Sequence, residues 1–231
     1  MHFSHHLALR AQYPELAAGV LFARGLHRDA PVDALVARYE AIARERLAAV
    51  GSESELPEIQ AWRRAFARMG LKPTQYRCAS ESLLRRFRKE DAMPRIHPLI
   101  DLCNAISMAF AIPVAVIDTS RVSGWLQVRH AEGRERYLTF GGEIEMPEPG
   151  EVSFVDAEGN AHARRWTNRQ SGLSAVREDT AEVLIVAEAM HEGGEADVAR
   201  LVTAVAEALR EAWGVPSRTQ LLTDAQPQFA C

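Results

Sequence analysis

Apolar positions recur at helical spacing through much of the first half of the chain. One stripe follows Pro31 and stops at Gly51, which predicts a helix with proline near its start and glycine at its end. The same spacing predicts three further helices: one over about Leu56–Met69, one within Tyr76–Pro94 and one over His97–Pro113.

Shorter apolar runs, many with every second residue polar, predict strands. The predicted strands are Gly19–Gly25, Val114–Asp118, Trp125–Arg129, Arg136–Phe140, EVSFVD and AHARRW on either side of the turn AEGN, and Glu182–Ala189. A closing helix is predicted from about Ala196 to Trp213. Because helices come first and strands follow, we expect an α+β fold, with a mixed or antiparallel sheet flanked by helices, rather than a doubly wound fold.

Composition adds limits to this picture. The 231 residues fit a single domain, residues 1–231, with the hydrophobic and charged content of ordinary soluble proteins. No apolar run approaches the roughly 20 residues that span a bilayer, and the start lacks a signal-peptide pattern, so we expect a cytoplasmic protein without a membrane partner. Because the net charge is −4, the protein as a whole does not attract nucleic acid, and any such partner would have to bind a local basic patch.

Most familiar sites of catalysis or cofactor binding are absent from the sequence. There is no glycine-rich nucleotide motif, no HExxH and no Gly-x-Ser-x-Gly, and the three cysteines form no CxxC pair. We therefore expect no cofactor and no metal site, and buried or surface thiols rather than disulfides. The early histidines His2, His5 and His6 are interpreted as a mobile terminus, and Gly141–Gly142 as a hairpin turn.

Some polar residues allow two interpretations. Asp101 and Asn104 share one face of a helix and could address a common partner, or could satisfy nearby backbone groups. Asp118 ends a strand, where aspartate usually starts a turn. Between Glu58 and Arg95, ten basic residues stand against four acidic ones, which suits either a solvated helix face or RNA contact.

Two arginine-bearing segments also allow more than one interpretation. Arg77 comes just before Ser80, a predicted helix N-cap, and its guanidinium could bind a carboxylate or a phosphate. The segment Arg164–Thr180 offers donors and an aromatic ring for phosphate and base contact. A structural ion-pair network with Glu178 and Asp179 would explain it equally well.

Taken together, these segments resemble a known family. The run YRCASESLLRR…MPRIHPLIDLCNAISMAFAIPVAVID…GE…GEVSFVDAEGNAHARRWTNRQ…VREDT is similar to free-standing relatives of the editing domain of the bacterial phenylalanyl-tRNA synthetase beta subunit. That tRNA-binding domain, formed by the subunit's third and fourth modules, hydrolyses mischarged aminoacyl-tRNA. The resemblance covers roughly residues 56–189, with an N-terminal strand and helix and a C-terminal helix as extensions.

The family's Asp-x-x-Asn helix, proline, strand-ending aspartate and late threonine correspond to Asp101, Asn104, Pro113, Asp118 and Thr180. The resemblance implies a substrate-binding surface and catalytic groups beside it. The expected substrate-binding residues are Arg77, Ser80, Glu81, Asp101, Asp118, Arg165, Trp166, Asn168 and Thr180, and the expected catalytic residues are Asn104, Arg169 and Gln170.

The sequence departs from the synthetase at two positions that matter for hydrolysis. The synthetase's histidine, two residues after the proline, is Ala115 here, and its editing glutamate falls within NRQSGL, where no glutamate stands. The resemblance thus implies a trans-acting aminoacyl-tRNA deacylase, a hydrolase in translation quality control and not a ligase, that works without the synthetase's groups.

The partner implied is the acceptor end of aminoacyl-tRNA, with no DNA expected and self-association into a homo-oligomer left open. Two other functions remain alternatives. One is a non-catalytic tRNA-binding module. The other is a protein that binds an amino acid or related metabolite through its carboxylate.

Overall fold

The computed structural model describes residues 1–231, and its helices begin and end close to the apolar stripes. They are α1 (Leu7–Gln12), α2 (Asp33–Ala48), α3 (Pro57–Arg68), α4 (Ala79–Glu90), α5 (Pro98–Phe110) and α6 (Gly194–Trp213). None of the six has the length and hydropathy needed to cross a bilayer. The helices predicted after Pro31, from Leu56, within Tyr76–Pro94, from His97 and from Ala196 are confirmed as α2 to α6.

Twelve strands form two main sheets and one small ribbon. The strands are β1 (His2–His5), β2 (Ala17–Arg24), β3 (Val114–Asp118), β4 (Trp125–His130), β5 (Tyr137–Leu138), β6 (Ile144–Glu145), β7 (Val152–Asp156), β8 (Ala161–Arg164), β9 (Arg169–Gln170), β10 (Glu182–Ala189), β11 (Ser217–Leu222) and β12 (Gln228–Ala230). The six-stranded sheet has the order β12-β1-β4-β7-β8-β9, the four-stranded sheet has the order β11-β2-β10-β3, and β5 pairs with β6.

Every strand pair is antiparallel except β1 with β4, so the predicted α+β fold with a mixed or antiparallel sheet is confirmed. The predicted hairpin around AEGN is the β7–β8 pair. Gly142, at φ +89°, turns the chain between β5 and β6, as expected for Gly141–Gly142.

The four-stranded sheet lies in the middle of the fold. Helices α2, α5 and α6 cover its outer face, where alternate residues of β10 such as Val183 and Ile185 enter their core. At Gly19 of β2, a Cβ atom would lie 2.6 Å from methyl carbons of both Val198 and Val202. Glycine there lets α6 pack directly on the strand.

The inner face of the same sheet packs against the six-stranded sheet. Leu184 and Val186 of β10 share this second core with residues of β1, β4 and β7, and α3 and α4 close one side of it. Its largest aromatic contact joins Trp166 edge-on to Tyr13 and Trp62, with ring centroids 5.0 and 5.2 Å apart. The space between the two sheets is therefore the place where both halves of the chain meet.

The N-terminal histidines correct one prediction. Residues His2–His5 form a strand parallel to β4 and antiparallel to β12, so the interpretation as a mobile terminus is wrong for this segment. Ser4 and His5 are buried although they are polar, so this strand lacks the apolar run by which strands are predicted from sequence. The edge strand β11 escaped prediction because most of its residues are polar.

The start of α4 corrects a second prediction, which placed the helix N-cap at Ser80. Cys78, not Ser80, is the N-cap, and the Ser80 hydroxyl instead donates to the Ala111 carbonyl oxygen at 3.1 Å. Cys78 and Cys103 are free and buried, and burial raises the pKa of each thiol to about 12.

Asp156 organises the turn between β7 and β8. Its carboxylate accepts hydrogen bonds from the backbone N–H groups of Ser123, Glu158 and Asn160 and from the side chains of Asn160 and His162. Burial alone would raise the pKa of Asp156, but these hydrogen bonds outweigh it and hold the pKa far below its usual value.

We expect Asp156→Asn to lower the free energy of unfolding by about 2–4 kcal/mol at pH 7, because an amide cannot accept all of these bonds. Since the folded-state pKa is depressed, the carboxylate stabilises the fold fully above its unfolded pKa of about 3.9 and loses this effect as the pH falls below it. Urea unfolding should therefore show a smaller difference between the two proteins at pH 3 than at pH 7.

The exposed Glu158 in the same turn supplies the control, because Glu158→Gln should change stability little at either pH. A difference between Asp156→Asn and the unsubstituted protein that stays constant from pH 7 to pH 3 would contradict this assignment.

Candidate functional site

The arginines of Arg164–Thr180 differ sharply in their surroundings. Arg164 is buried and makes a two-pronged pair with Glu151, with both distances 2.9 Å, and a further contact to Glu145 at 2.7 Å. Arg165 is half-buried over the ring of Tyr76. The ion-pair interpretation of this part is therefore correct for Arg164, although its partners are Glu145 and Glu151 rather than Glu178 and Asp179.

The turn after β8 forces Trp166 into the core. Arg165 and Trp166 both have a left-handed backbone, with φ of +47° and +58°, which non-glycine residues seldom adopt. Trp166 has no exposed surface, so its ring cannot stack on a base at the protein surface as the sequence suggested. Such strain is kept where the surrounding structure requires it, often at functional sites.

The expected residues at the start of α4 form a buried cluster. Glu81 is fully buried and accepts from Arg63 at 2.7 Å, and Arg77 Nε lies 3.4 Å from the same carboxylate oxygen. The Arg77 carbonyl oxygen accepts from Asn168 Nδ2 at 2.7 Å, which ties α4 to the turn after Trp166. Ser80 is also buried. Arg77 thus contacts this turn directly, whereas Ser80 and Glu81 bind Ala111 and the two arginines.

Asp118 and Thr180, two of the expected substrate-binding residues, contact each other. The Thr180 hydroxyl donates to Asp118 Oδ2 at 2.7 Å, and the Asp118 Oδ1 atom accepts from Ser120. Both residues are buried, so the pair joins the end of β3 to the start of β10.

Asp101 and Asn104 lie near the start of α5, away from the inter-sheet space. Asp101 Oδ1 accepts from the Ile96 backbone N–H at 2.9 Å, as a residue that satisfies nearby backbone does. Both side chains are half-buried, and neither lines the cleft described next.

A narrow cleft opens where β9 and the preceding turn approach β3 and β10. It has a volume of about 60 Å³ and is lined by Ala79, Pro113, Val114, Ala115, Phe154, Ala163, Trp166, Thr167, Asn168, Arg169, Gln170, Val186 and Glu188. Four of the expected site residues, Trp166, Asn168, Arg169 and Gln170, thus come together with Ala115, the position of the synthetase's histidine. We call this the inter-sheet cleft.

Glu188 is the one carboxylate in the cleft, and no sequence signal marked it. Its residue surface is 2% exposed. Oε1 lies 2.6 Å from His5 Nε2 and accepts from Trp166 Nε1 at 2.9 Å, and Trp62 donates to the backbone carbonyl oxygen. Oε2 accepts no hydrogen bond from the chain and is not sealed from solvent.

Two amides add further acceptors. Asn168 donates through Nδ2 to the Arg77 carbonyl oxygen, and Gln170 donates through Nε2 to the Val116 carbonyl oxygen at 2.6 Å. Because both partners are carbonyl oxygens, the orientation of each amide is determined, and Asn168 Oδ1 and Gln170 Oε1 remain without donors from the chain. Thr167, which also lines the cleft, has a hydroxyl without a partner.

Arg169 lies at the mouth of the inter-sheet cleft. Its side chain is 42% exposed and only its Nη1 atom pairs with a carboxylate, Glu145 Oε2, at 3.2 Å. Arg169 and Gln170 also line a second, wider depression of about 450 Å³, which we call the outer groove. Phe140, at the tip of the β5–β6 ribbon, lines this groove and is 75% exposed.

The cleft and the groove together suit a ligand with a small head and a larger body. A volume of about 60 Å³ admits water or a compact polar group but lies far below the roughly 300–1,000 Å³ of drug-sized pockets. The cleft offers acceptors from the buried Glu188 and the half-buried Asn168 and Gln170, whereas the exposed Arg169 offers donors.

One buried trio has the connectivity of a Ser–His–Asp triad. His162 Nδ1 lies 2.8 Å from Ser174 Oγ, and His162 Nε2 lies 3.2 Å from Asp156 Oδ2. Ser174 and His162 have no exposed surface, and Asp156 is occupied by the turn. A substrate cannot reach this serine, so the trio stabilises the six-stranded sheet.

Glu58, His191 and Asp197 form the one group of potential metal ligands, with ligand atoms within 4.8 Å of one another. The sequence did not predict it, since these residues lie far apart in the chain. Arg46 pairs with Glu58 at 2.7 Å and Arg200 pairs with Asp197, so arginines already neutralise both carboxylates. The arrangement is explained as an ion-pair network between α3 and the start of α6.

The basic run between Glu58 and Arg95 is largely neutralised as well. Of its ten basic residues, all but Arg64, Lys72 and Lys89 have a carboxylate within 4.0 Å. This supports the interpretation of a solvated helix face.

Comparison with known proteins identifies the family of the chain and finds a similar fold. The B3/4 domain family matches residues 61–207, which is more than half of the chain. No curated protein matches the sequence.

Among solved structures, an N-terminal fragment of the phenylalanyl-tRNA synthetase beta-subunit from Pyrococcus horikoshii is similar in fold, with a TM-score of 0.50 and 12% identity. The match covers 96% of this chain and 54% of that one, so the chain spans about half the length of the fragment. The predicted relationship to the third-and-fourth-module domain of the synthetase beta subunit is confirmed, and this chain belongs to the B3/4 domain family.

Proposed function

We propose that this protein is a trans-acting aminoacyl-tRNA deacylase, which hydrolyses the ester between an amino acid and the terminal ribose of tRNA. The observation that carries the proposal is the adjacency of two cavities, because Arg169 and Gln170 line both the small inter-sheet cleft and the outer groove of about 450 Å³. An aminoacyl ester has the matching shape, with a compact polar head on a nucleoside.

The family supports the same substrate class. B3/4 domains are related to the beta subunit of phenylalanyl-tRNA synthetase, and the cleft includes Ala115, where the synthetase has a histidine. Loss of that histidine does not exclude hydrolysis, because an aminoacyl ester is already activated. Its hydrolysis needs mainly a positioned water and donors to the developing oxyanion.

The reaction proceeds without a protein nucleophile. A water oxygen adds to the ester carbonyl carbon, and the carbonyl oxygen becomes an oxyanion beside the guanidinium of Arg169. The bond to the ribose oxygen then breaks, and the proton from water passes to that leaving oxygen through the neighbouring ribose hydroxyl. The products are the free amino acid and tRNA with both terminal hydroxyls restored.

Residues of the cleft and of the outer groove have different roles in the proposed reaction. Arg169 stabilises the oxyanion at the mouth of the cleft, and Asn168 and Gln170 hold the ester beside it. In the groove, the exposed ring of Phe140 supplies the stacking surface that the buried Trp166 cannot. Asn104 lies outside both cavities, so its predicted catalytic role would have to be indirect.

The first expected outcome concerns Arg169. Deacylation of a panel of mischarged tRNAs, followed as enzyme-dependent loss of the ester, should be slower by about 100-fold in kcat/KM for Arg169→Ala, because one donor to the oxyanion is lost. The fold should be unaffected, because this side chain is exposed and weakly paired.

Arg134 provides a matched control, since it is an exposed arginine outside both cavities. Arg134→Ala should deacylate at the original rate. Equal rates for Arg169→Ala and the unsubstituted protein would rule out this site, even if the activity itself is present.

The second expected outcome concerns the amino acid. A cleft of about 60 Å³ has no room for an aromatic ring beside the polar head, so alanyl and seryl esters should be hydrolysed at least about 10-fold faster than phenylalanyl and tyrosyl esters on otherwise identical tRNA. The comparison requires one tRNA charged with each amino acid. A preference for the aromatic esters would contradict this use of the cleft.

The alternatives give different results in the same assays. A non-catalytic tRNA-binding module would bind with an affinity that falls with salt, by a log–log slope of about −0.7 to −0.9 per phosphate contact, and would leave every ester intact. A protein that binds free amino acids would be stabilised against thermal unfolding by an amino acid and not by tRNA.

A further inference from the structure

We infer that Glu188 is a binding site for a primary ammonium group, and that in the proposed reaction it holds the α-ammonium of the aminoacyl ester. This inference rests on the proposed function for the identity of the ligand, but the site itself rests on the surroundings of one carboxylate.

The position of Glu188 follows from the pleat of β10. Leu184 and Val186 face the six-stranded sheet, and with a period of two residues Glu188 faces the same way. The strand therefore carries a carboxylate into an apolar interior, where an ionised group is costly unless it is paired. Ala187, with the opposite orientation, packs under the helices.

The partners of Oε1 leave little compensation for a charge on this carboxylate. Trp166 donates a neutral N–H group. No arginine or lysine lies within 4.0 Å of the carboxylate, and the ring of His5, with Nε2 at 2.6 Å, is the one titratable group beside it. A cation bound at Oε2 would therefore offset the cost of burying the carboxylate.

Glu188 lines the cleft together with other residues that have free acceptors. Glu188 Oε2, Asn168 Oδ1 and Gln170 Oε1 accept nothing from the chain, while the amide nitrogens of Asn168 and Gln170 are fixed on backbone carbonyl oxygens. An ammonium group has three donors and no acceptor, and its positive charge complements the carboxylate. An anion would meet this carboxylate and the two amide oxygens, with the Thr167 hydroxyl and Arg169 as the side-chain donors left for it.

The same placement orients the ester. With its α-ammonium at Glu188, the substrate would place its ester carbonyl, two bonds away, towards Arg169 at the mouth and its ribose in the outer groove. Glu188 thus positions the substrate, and the water and proton transfers take place further out.

The test compares two substrates of the same shape. Alanyl-tRNA and lactyl-tRNA differ only in the α-substituent, which is an ammonium group in one and a hydroxyl in the other. We expect the unsubstituted protein to favour alanyl-tRNA by about 10- to 100-fold in kcat/KM, as expected for a charge-assisted hydrogen bond. Glu188→Gln should remove this preference by lowering kcat/KM for alanyl-tRNA alone.

Glu53→Gln is the matched control, because Glu53 is a buried carboxylate, 2% exposed, that pairs with Arg85 and Arg88 and does not line the cleft. It should keep the full preference. If Glu188→Gln slows both substrates equally, Glu188 acts as a base on water and the inference is overturned. The comparison of alanyl- and lactyl-tRNA on the unsubstituted protein decides the matter even if that variant does not fold, since equal rates refute the site.

A binding experiment separates this inference from the proposed function. The amide analogue 3′-alanylamino-3′-deoxyadenosine cannot be hydrolysed as an ester and can be titrated by calorimetry beside its lactyl counterpart. Tighter binding of the alanyl analogue, lost in Glu188→Gln, would support the ammonium site even if no tRNA is deacylated. Equal binding of both analogues would overturn the ammonium site and leave deacylation to be judged by its own assay.

Discussion

The buried carboxylate of Glu188 is the contact on which the arrangement of the two sheets depends. The residue belongs to β10 in the four-stranded sheet, but its Oε1 atom is held by His5 of β1 and by Trp166, which follows β8, both on the side of the six-stranded sheet. Trp62 of α3 binds the backbone of the same residue. Four segments far apart in the chain therefore converge on one residue.

This convergence explains the strain in the neighbouring turn. Trp166 reaches the carboxylate only because Arg165 and Trp166 both adopt a left-handed backbone, and the buried pair of Arg164 with Glu151 holds the turn in place. The next residues, Asn168 to Gln170, then line the cleft above Glu188. Arg164, which is buried in ion pairs, and Arg169, which is exposed beside the cleft, are thus five residues apart on either side of this turn.

The inter-sheet cleft receives its one carboxylate from β10, and no histidine lines it. In the proposed reaction this carboxylate positions the substrate rather than attacking it, because hydrolysis of an activated ester depends more on positioning than on a nucleophile.

Much of the fold could be predicted from the sequence, because the apolar stripes of α2 to α6 and the turn at AEGN are local patterns. The segment around Arg169 was also recognisable by its polar composition. His5 and Glu188 were not, since a buried polar residue looks like an exposed one until its partner is known, and these two are 183 residues apart. The position of Asp101 and Asn104 outside the cleft was not predictable either, because a shared helix face does not determine which cavity that face meets.

The most direct test is a crystal structure of the protein with 3′-alanylamino-3′-deoxyadenosine. We expect the alanyl nitrogen about 2.8 Å from Glu188 Oε2, the amide carbonyl oxygen next to Arg169, and the adenosine in the groove beside Phe140. Binding of the analogue at Asp101 and Asn104, or in the inter-sheet cleft with its ammonium turned towards solvent, would contradict this expectation.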